Sequence, residues 1–245
     1  MAPREFYEEL PSTQDRALAW ARQGAPDGST VVARRQSQGR GRGDRTWASP
    51  PGGLYLSVVL RPAGALGLLP LAIGAEIAGS FAERYGVRLR LKWPNDLLAV
   101  DAGGRTRKLA GILVDVVMGP EEVPSAVAGI GVNALGPVDP PSPGVTLRAV
   151  TLSELTGTAV ALDRLESEVA VSSLRARDAL RGPAGQASVL ARCRGLLYGR
   201  GEPATVDGVP SGVVRGLGAD GSLLLHTDGG LRSVLAGDVR VGVGA

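Results

Sequence analysis

The sequence predicts an α+β fold with a small all-β module at its C-terminal end. Three observations support this. Helix-like and strand-like segments follow one another without the strict alternation a doubly wound parallel sheet requires. From about Leu197 the chain breaks into short apolar runs at Asp-Gly, Gly-Ala-Asp-Gly and Asp-Gly-Gly turns, the texture of antiparallel hairpins. The 245 residues are also enough to bury on the order of 70% of the unfolded surface, so a core needs no staples. The expected division is 1–196 for the larger domain and 197–245 for the β module.

Taken in order, Ser12-Thr13-Gln14-Asp15 precedes Ala17, Leu18, Trp20 and Ala21, and Gly24 follows, so a capped helix starts and stops here. Thr30 to Ala33 is a short β-branched run. Residues 34–47 (RRQSQGRGRGDRTW) have no apolar period and read as a loop. The run 54–60, LYLSVVL, is half alternating and half continuous, which predicts a buried strand. An apolar helix follows over 69–85, ending at Tyr85-Gly86, and then strands over 88–93, 109–117 and 124–133. The Pro-rich stretch 137–143 reads as a loop. Thr151-Leu152-Ser153-Glu154 is a capping-box opening. Asp163 is expected to cap a longer helix running to about Arg181, with 184–195 continuing helically.

Composition narrows the function. A net charge of +3 is a weak field for nucleic acid, and three Trp, four Tyr and two Phe leave little for base stacking. One Cys excludes an internal disulfide framework and Cys-rich zinc modules. One His, His226, disfavours HExxH sites and His-relay triads. The charged N-terminus is not a signal peptide, and no run reaches the ~18 uninterrupted apolar residues of a membrane span, so a soluble cytoplasmic protein is expected. Of the 27 basic residues only two are Lys, Lys92 and Lys108, and only two Asn occur, Asn95 and Asn133. In a chain that uses Arg for almost every positive charge, a retained Lys marks a place for a compact ammonium with three rotatable donors.

Four segments carry candidate chemistry. In 36–47, QSQGRGRGDRTW, alternating Gly lets the backbone approach a ligand, and three Arg within six residues suit phosphate or carboxylate. A solvated surface loop or an RGG-like nucleic-acid segment is the alternative. Lys92-Trp93-Pro94-Asn95-Asp96 ends a strand and presents Asn95 and Asp96 at a turn, where binding groups concentrate, although Pro-Asn-Asp is also ordinary turn chemistry. Lys108 opens a strand containing Gly111, which marks a bulge or a close approach; Lys108 could equally be an edge gatekeeper. Gly129-Ile130-Gly131-Val132-Asn133-Ala134 mimics a dinucleotide fingerprint, but it lies in a strand pattern leading to a Pro-rich loop, so a pocket wall is the better reading. His226 and Cys193 read as structural.

In this order the segments resemble the biotin–protein ligases (biotin–[acetyl-CoA-carboxylase] ligases). Ser12-Thr13-Gln14 is similar to the family's Ser-Thr-Asn. Gln36, Gly39 to Arg42, Arg45 and Trp47 resemble its Gln-x-x-Gly-Arg-Gly-Arg-x-Gly-Arg-x-Trp signature, and Ser49-Pro50, LYLS (54–57), KWPND (92–96), KLAGIL (108–113) and GIGVN (129–133) follow in order. Gly43-Asp44 departs from the usual basic residue and Gly, reversing a charge beside Arg42 and Arg45. Gln14 is one methylene longer than Asn.

The resemblance implies a central mixed β-sheet flanked by helices and a C-terminal SH3-like barrel. It implies that ATP and biotin form biotinyl-5′-AMP with Mg²⁺, and that biotin passes to a lysine of a biotin carboxyl carrier domain. As catalytic residues it implies Lys108, Arg40, Arg42 and Asp96. Biotin would be held by Ser12, Thr13, Gln14, Gln36, Arg40, Gly41, Arg42, Lys108 and Gly111. The nucleotide would be held by Arg42, Arg45, Trp47, Lys92, Asn95 and Asn133, with Asp96 a ligand for Mg²⁺ or a base for the acceptor lysine. Only eleven residues precede Ser12, too few for a winged helix, so neither operator binding nor a repressor function is expected; monomer and homodimer both stay open. Rival readings are a lipoate- or octanoate-transferring relative, a nucleic-acid binder, and a biotin-sequestering protein without catalysis.

Overall fold

The strand Leu54–Leu60 (β3) has every residue buried and lies inside a seven-stranded sheet. In the computed structural model, residues 2–61, 64–101, 103–122, 124–136 and 147–242 are described; the Pro-rich 137–143 segment lies outside them. The other strands are Arg4–Leu10 (β1), Thr30–Gln36 (β2), Leu89–Lys92 (β4), Asp96–Val100 (β5), Thr106–Met118 (β6) and Pro124–Val132 (β7). Their spatial order is β1-β2-β3-β7-β6-β5-β4. The β1–β2 pair is parallel and the other pairs are antiparallel, so the sheet is mixed.

Two of these strands have no expectation in the sequence. β1 (REFYEEL) is an edge strand that exposes Phe6 beside Arg4, Glu8 and Glu9, so it shows no apolar-in, polar-out alternation in the sequence. β5 (DLLAV) is five apolar-centred residues directly after a Pro-Asn turn, too short for a period to show.

Helix Thr13–Arg22 (α1) starts at the Ser12 cap, whose Oγ accepts the Asp15 amide N–H. Asp15 in its first turn and Arg22 in its last complement the helix dipole. Helix Leu69–Tyr85 (α2) ends at Gly86, where φ of 66° favours glycine. With the short turn before it, Leu66–Tyr85 is long and apolar enough to cross a bilayer by composition, yet Leu69, Ile73, Ile77 and Phe81 are buried in the protein core. Helices Leu152–Thr156 (α3), Leu162–Ala179 (α4) and Gly182–Leu196 (α5) follow. Thr151 caps α3 by accepting the Glu154 amide, while the Glu154 carboxylate pairs with Arg107. Asp163 is not the cap of α4: Ala161 occupies that position and Asp163 lies in the first turn, where its charge still favours the helix.

The two sheet faces have separate cores. Val32, Leu56, Val58 and Ile112 pack with α2 and α4, whereas Val31, Ala33, Val59, Val117 and Val127 pack with Ala17, Leu18 and Ala21 of α1.

The C-terminal module is a five-stranded antiparallel sheet of Pro203–Val206 (β8), Val209–Leu217 (β9), Leu223–Thr227 (β10), Gly230–Val234 (β11) and Val239–Val241 (β12), in the order β11-β10-β9-β8-β12. The β8–β9 hairpin turns on Asp207 and Gly208, both at positive φ, as a two-residue hairpin loop demands. The module is tied to the rest of the chain at two places: Trp93 Nε1 in the β4–β5 turn donates to the Gly221 carbonyl at 2.9 Å, and Arg194 on α5 donates twice to the Leu217 carbonyl.

Candidate active site

A cavity of about 580 Å³ opens on the α1 side of the sheet. Its walls come from the α1 start, the 36–47 segment, the β4–β5 turn, β6, β7 and the C-terminal module. Every residue the resemblance assigns to a site lines it except Asn133.

The floor is built by paired glycines. Gly111 on β6 faces Gly131 on β7 in register, and the Trp47 ring lies against both. A Cβ at Gly111 would meet the ring at 2.7 Å, and one at Gly131 at 2.5 Å. The mid-strand glycines therefore serve the close approach of an indole. Trp47 Nε1 is buried with no hydrogen-bond partner among the described residues, a cost unless a ligand supplies an acceptor.

Lys108 reaches this floor because of an irregularity. Opposite Leu97 and Leu98 the β5–β6 register skips Leu109. Lys108 is three residues from Gly111, and regular alternation would place it on the other face. Instead its Nζ stands 5.0 Å from the Trp47 ring centroid and 2.7 Å from Asp96 Oδ1. Because β6 is flanked by β5 and β7, the edge-gatekeeper reading of Lys108 does not hold.

Lys92 Nζ lies 3.7 Å from the other Asp96 oxygen, so both lysines of the chain converge on one carboxylate. Burial pushes the Lys92 ammonium below its ordinary pKa; Asp96 pulls it back up and Lys108 adds to the lowering. Asp96 is consequently an anchor for two ammonium groups. Among the described residues no three His, Cys, Asp or Glu side chains gather into a metal donor set. Asp96, already between two ammonium groups, would hold Mg²⁺ only together with nucleotide phosphates and water, the usual way this ion is bound.

Both asparagines act on the β6 backbone. Asn95 Nδ2 donates to the Ile112 carbonyl at 2.9 Å while lining the cavity. Asn133 Nδ2 donates to the Lys108 carbonyl at 3.2 Å from outside the lining. Asn133 thus supports the strand that carries Lys108.

At the opposite end, Ser12, Thr13 and Gln14 are buried. Gln36 Oε1 accepts both the amide and the hydroxyl of Thr13, and Gln36 Nε2 donates to Ser49 Oγ. Gln14 Nε2 donates to Asp115 Oδ2 and to the Val127 carbonyl, committing both amide hydrogens to the protein. Ser57 Oγ lies within bonding distance of Thr13 Oγ1 and Gln14 Oε1. The donors left for a ligand here are the Ser12 hydroxyl and the second Gln36 amide hydrogen.

The 36–47 segment is a small hairpin rather than an irregular loop. Gly41 N–H donates to the Arg45 carbonyl, Trp47 N–H to the Gly39 carbonyl, and Arg40 bridges Thr46. Its arginines point three ways. Arg40 pairs with Asp15 and Asp115, Arg42 donates to the Gly237 carbonyl, and Arg45 pairs with Asp238 at 3.2 Å. Among the described residues Asp44 pairs with neither Arg42 nor Arg45.

Sequence reasoning passed over Asp115, Asp238 and Arg240. Asp115 had a signal, being an acid inside the apolar run LAGILVDVV. Asp238 and Arg240 had none, since only tertiary packing brings the C-terminal module to the cavity. Cys193 is buried in α5 and its thiol is pushed up to about 11 by burial, which suits packing and not nucleophilic chemistry.

A model of the biotin/lipoate A/B protein ligase family matches residues 6–133, which carry most of this cavity. The chain belongs to that family. The family's bifunctional ligase/repressor BirA of Bacillus subtilis is 30% identical over 246 residues, covering 97% of this chain and 73% of the relative. The biotin–[acetyl-CoA-carboxylase] ligase of Mycobacterium tuberculosis is 34% identical over 240 residues, covering 93% and 85%. Among solved family structures, the biotin protein ligase from Aquifex aeolicus in complex with biotin and ATP superposes with a TM-score of 0.82 at 27% identity, covering 98% of this chain and 100% of that one.

Proposed function

We propose that this chain is a biotin–protein ligase. It joins the biotin carboxylate to the α-phosphate of ATP, releasing pyrophosphate, and then passes biotin to a lysine of a carboxylase's carrier domain in the cytoplasm. The observation that carries the reading is the ammonium of Lys108, held by Asp96 over the Trp47 ring in a cavity bordered by Arg40, Arg42 and Arg45.

The chemical difficulty is that two anions must meet. A carboxylate oxygen attacks a phosphorus already surrounded by negative oxygens, and preorganised positive charge is the most effective remedy. Lys108 serves at the point where carboxylate and α-phosphate approach. Asp96 fixes its direction, and Asn133 fixes the backbone from which it projects. Lys92, Arg45 and Arg42 supply charge for the remaining phosphates. Trp47 Nε1, buried and unpartnered, has a hydrogen to offer an anionic oxygen. The Ser12 hydroxyl and the free Gln36 hydrogen match a ureido carbonyl, which accepts and does not donate. In the second step the carrier amine attacks the acyl carbon, the bond to the phosphate oxygen breaks, and AMP leaves.

The test is incubation with ATP, Mg²⁺ and biotin, with and without a biotin carrier domain, followed by mass spectrometry of the carrier. The expected result is the gain of one biotin on one lysine, dependent on ATP. A carrier that gains lipoate or octanoate instead assigns the site to the other branch of the family, and no mass change together with no biotin-dependent pyrophosphate exchange overturns the proposal.

A further inference from the structure

Arg40 lines the cavity, and one end of its guanidinium is already held. Nη1 lies 2.9 Å from Asp15 Oδ1 on α1 and 3.2 Å from Asp115 Oδ2 on β6. The same Asp115 oxygen accepts Gln14 Nε2 at 3.1 Å. Asp115 is therefore the junction between the arginine/glycine hairpin and the buried polar wall of the cavity. It stands on β6 two positions beyond Leu113 and four beyond Gly111, on the face where Trp47 rests. Backbone bonds from Ser37 and Gln38 to the Leu10 and Pro11 carbonyls fix the start of the segment. Beyond them Gly39 and Gly41 have no side chains, and Arg42 and Arg45 reach across to the C-terminal module, so Arg40 is the side chain that ties the hairpin to α1 and β6. Gln14 also bears on the junction. Its longer side chain reaches Asp115 and the Val127 carbonyl at once, and its Oε1 fills the place a Cβ at Gly129 would need, 2.5 Å away.

We propose that Asp115 is a positioning residue: with Asp15 it latches Arg40, so that the hairpin is held over the cavity before any anion arrives, and through Gln14 it ties that latch to the vitamin end of the site. The catalytic consequence rests on the ligase reading; the latch itself does not. A flexible arginine/glycine segment held in advance loses less entropy when the substrates bind. Both carboxylates meet the guanidinium at Nη1, so an anion that draws Arg40 further into the cavity must pull Nη1 away from Asp15 and Asp115, and the latch sets that cost.

The experiment is limited trypsin digestion of the full chain without ligand, following cleavage after Arg42 and Arg45. Asp115→Asn keeps the shape and an acceptor for Gln14 while removing the charge. Asp15→Asn removes the other post from a different element. Each is expected to speed cleavage within 37–47 by roughly three- to fivefold, the worth of an ion pair this exposed, with cleavage elsewhere unchanged. In an Arg40→Gln background the same two substitutions should give no further acceleration, because the group they hold is gone. Wild-type cleavage rates in both single variants, or equal acceleration in the Arg40→Gln background, overturn the latch. If Asp115→Asn does not fold, Asp15→Asn alone gives the same decision. Biotin-dependent pyrophosphate exchange is measured beside it: accelerated cleavage in a protein with no exchange supports the latch and removes the ligase reading, whereas normal exchange with unchanged cleavage does the reverse.

Discussion

Lys108 and Lys92 approach the same carboxylate from opposite sides, at 2.7 and 3.7 Å from the two oxygens of Asp96. A chain that uses arginine almost everywhere keeps both of its lysines at this one carboxylate, where each contributes a compact point charge with rotatable donors.

Lys108 is expected to bear most of the chemical step. Lys108→Ala should lower biotin-dependent pyrophosphate exchange by about a hundredfold or more, as losing a charge aimed at the transition state does. Exchange near the wild-type rate would take Lys108 out of the mechanism.

Lys92 sets stability against function. Its main influence is burial, which disfavours the charged form, so its folded pKa lies below the ordinary 10.5. The unfolded chain then binds more protons between that lowered value and about 10.5, and the Lys92 contribution to stability rises with pH across this window. Replacing it by Met removes the penalty. Lys92→Met should melt no lower than wild type at pH 7, lose the rise attributable to this residue at alkaline pH, and show a raised KM for ATP. A clear drop in Tm at pH 7 would mean the Asp96 pair outweighs desolvation.

Gly131 is expected to be intolerant of a single methyl group. In Gly131→Ala the new Cβ would meet the Trp47 indole at 2.5 Å, and the floor beneath it is strand backbone that cannot retreat. The ring and the hairpin bearing it must lift away. Adenylate formation should fall by roughly tenfold to a hundredfold, the scale of an ångström of misplacement, with a changed tryptophan emission spectrum. Unaltered emission and activity would show that Trp47 is free to move at no cost.

Trp93 holds the β4–β5 turn to the C-terminal module through one buried hydrogen bond, to the Gly221 carbonyl. Trp93→Phe leaves that carbonyl without its donor and should cost about 1–3 kcal/mol, measurable by denaturant titration. Because Lys92 and Asp96 flank this turn, activity is expected to fall as well. Stability indistinguishable from wild type would mean that water replaces the indole there.

Much of this protein is legible in its residues taken in order. The Ser12 cap, the Gly86 stop of α2, the apolar β3 and the glycine-punctuated C-terminal hairpins are local effects of side chain on backbone, and local effects survive in a linear sequence. The segments that form the cavity could be named for the same reason, since glycine, lysine and asparagine are scarce or patterned there for chemical cause. Folding in space decided the rest. A skipped residue opposite Leu97 turns Lys108 onto the face of Gly111, something no period in the sequence announces. Asp96 becomes an anchor for two lysines, Asn133 a brace behind one of them, and Asp115 a post for Arg40, because strands distant in sequence lie side by side. Sequence patterns record what each residue prefers, whereas hydrogen bonds and ion pairs fall off within a few ångströms, so only the packed sheet determines which preferences meet.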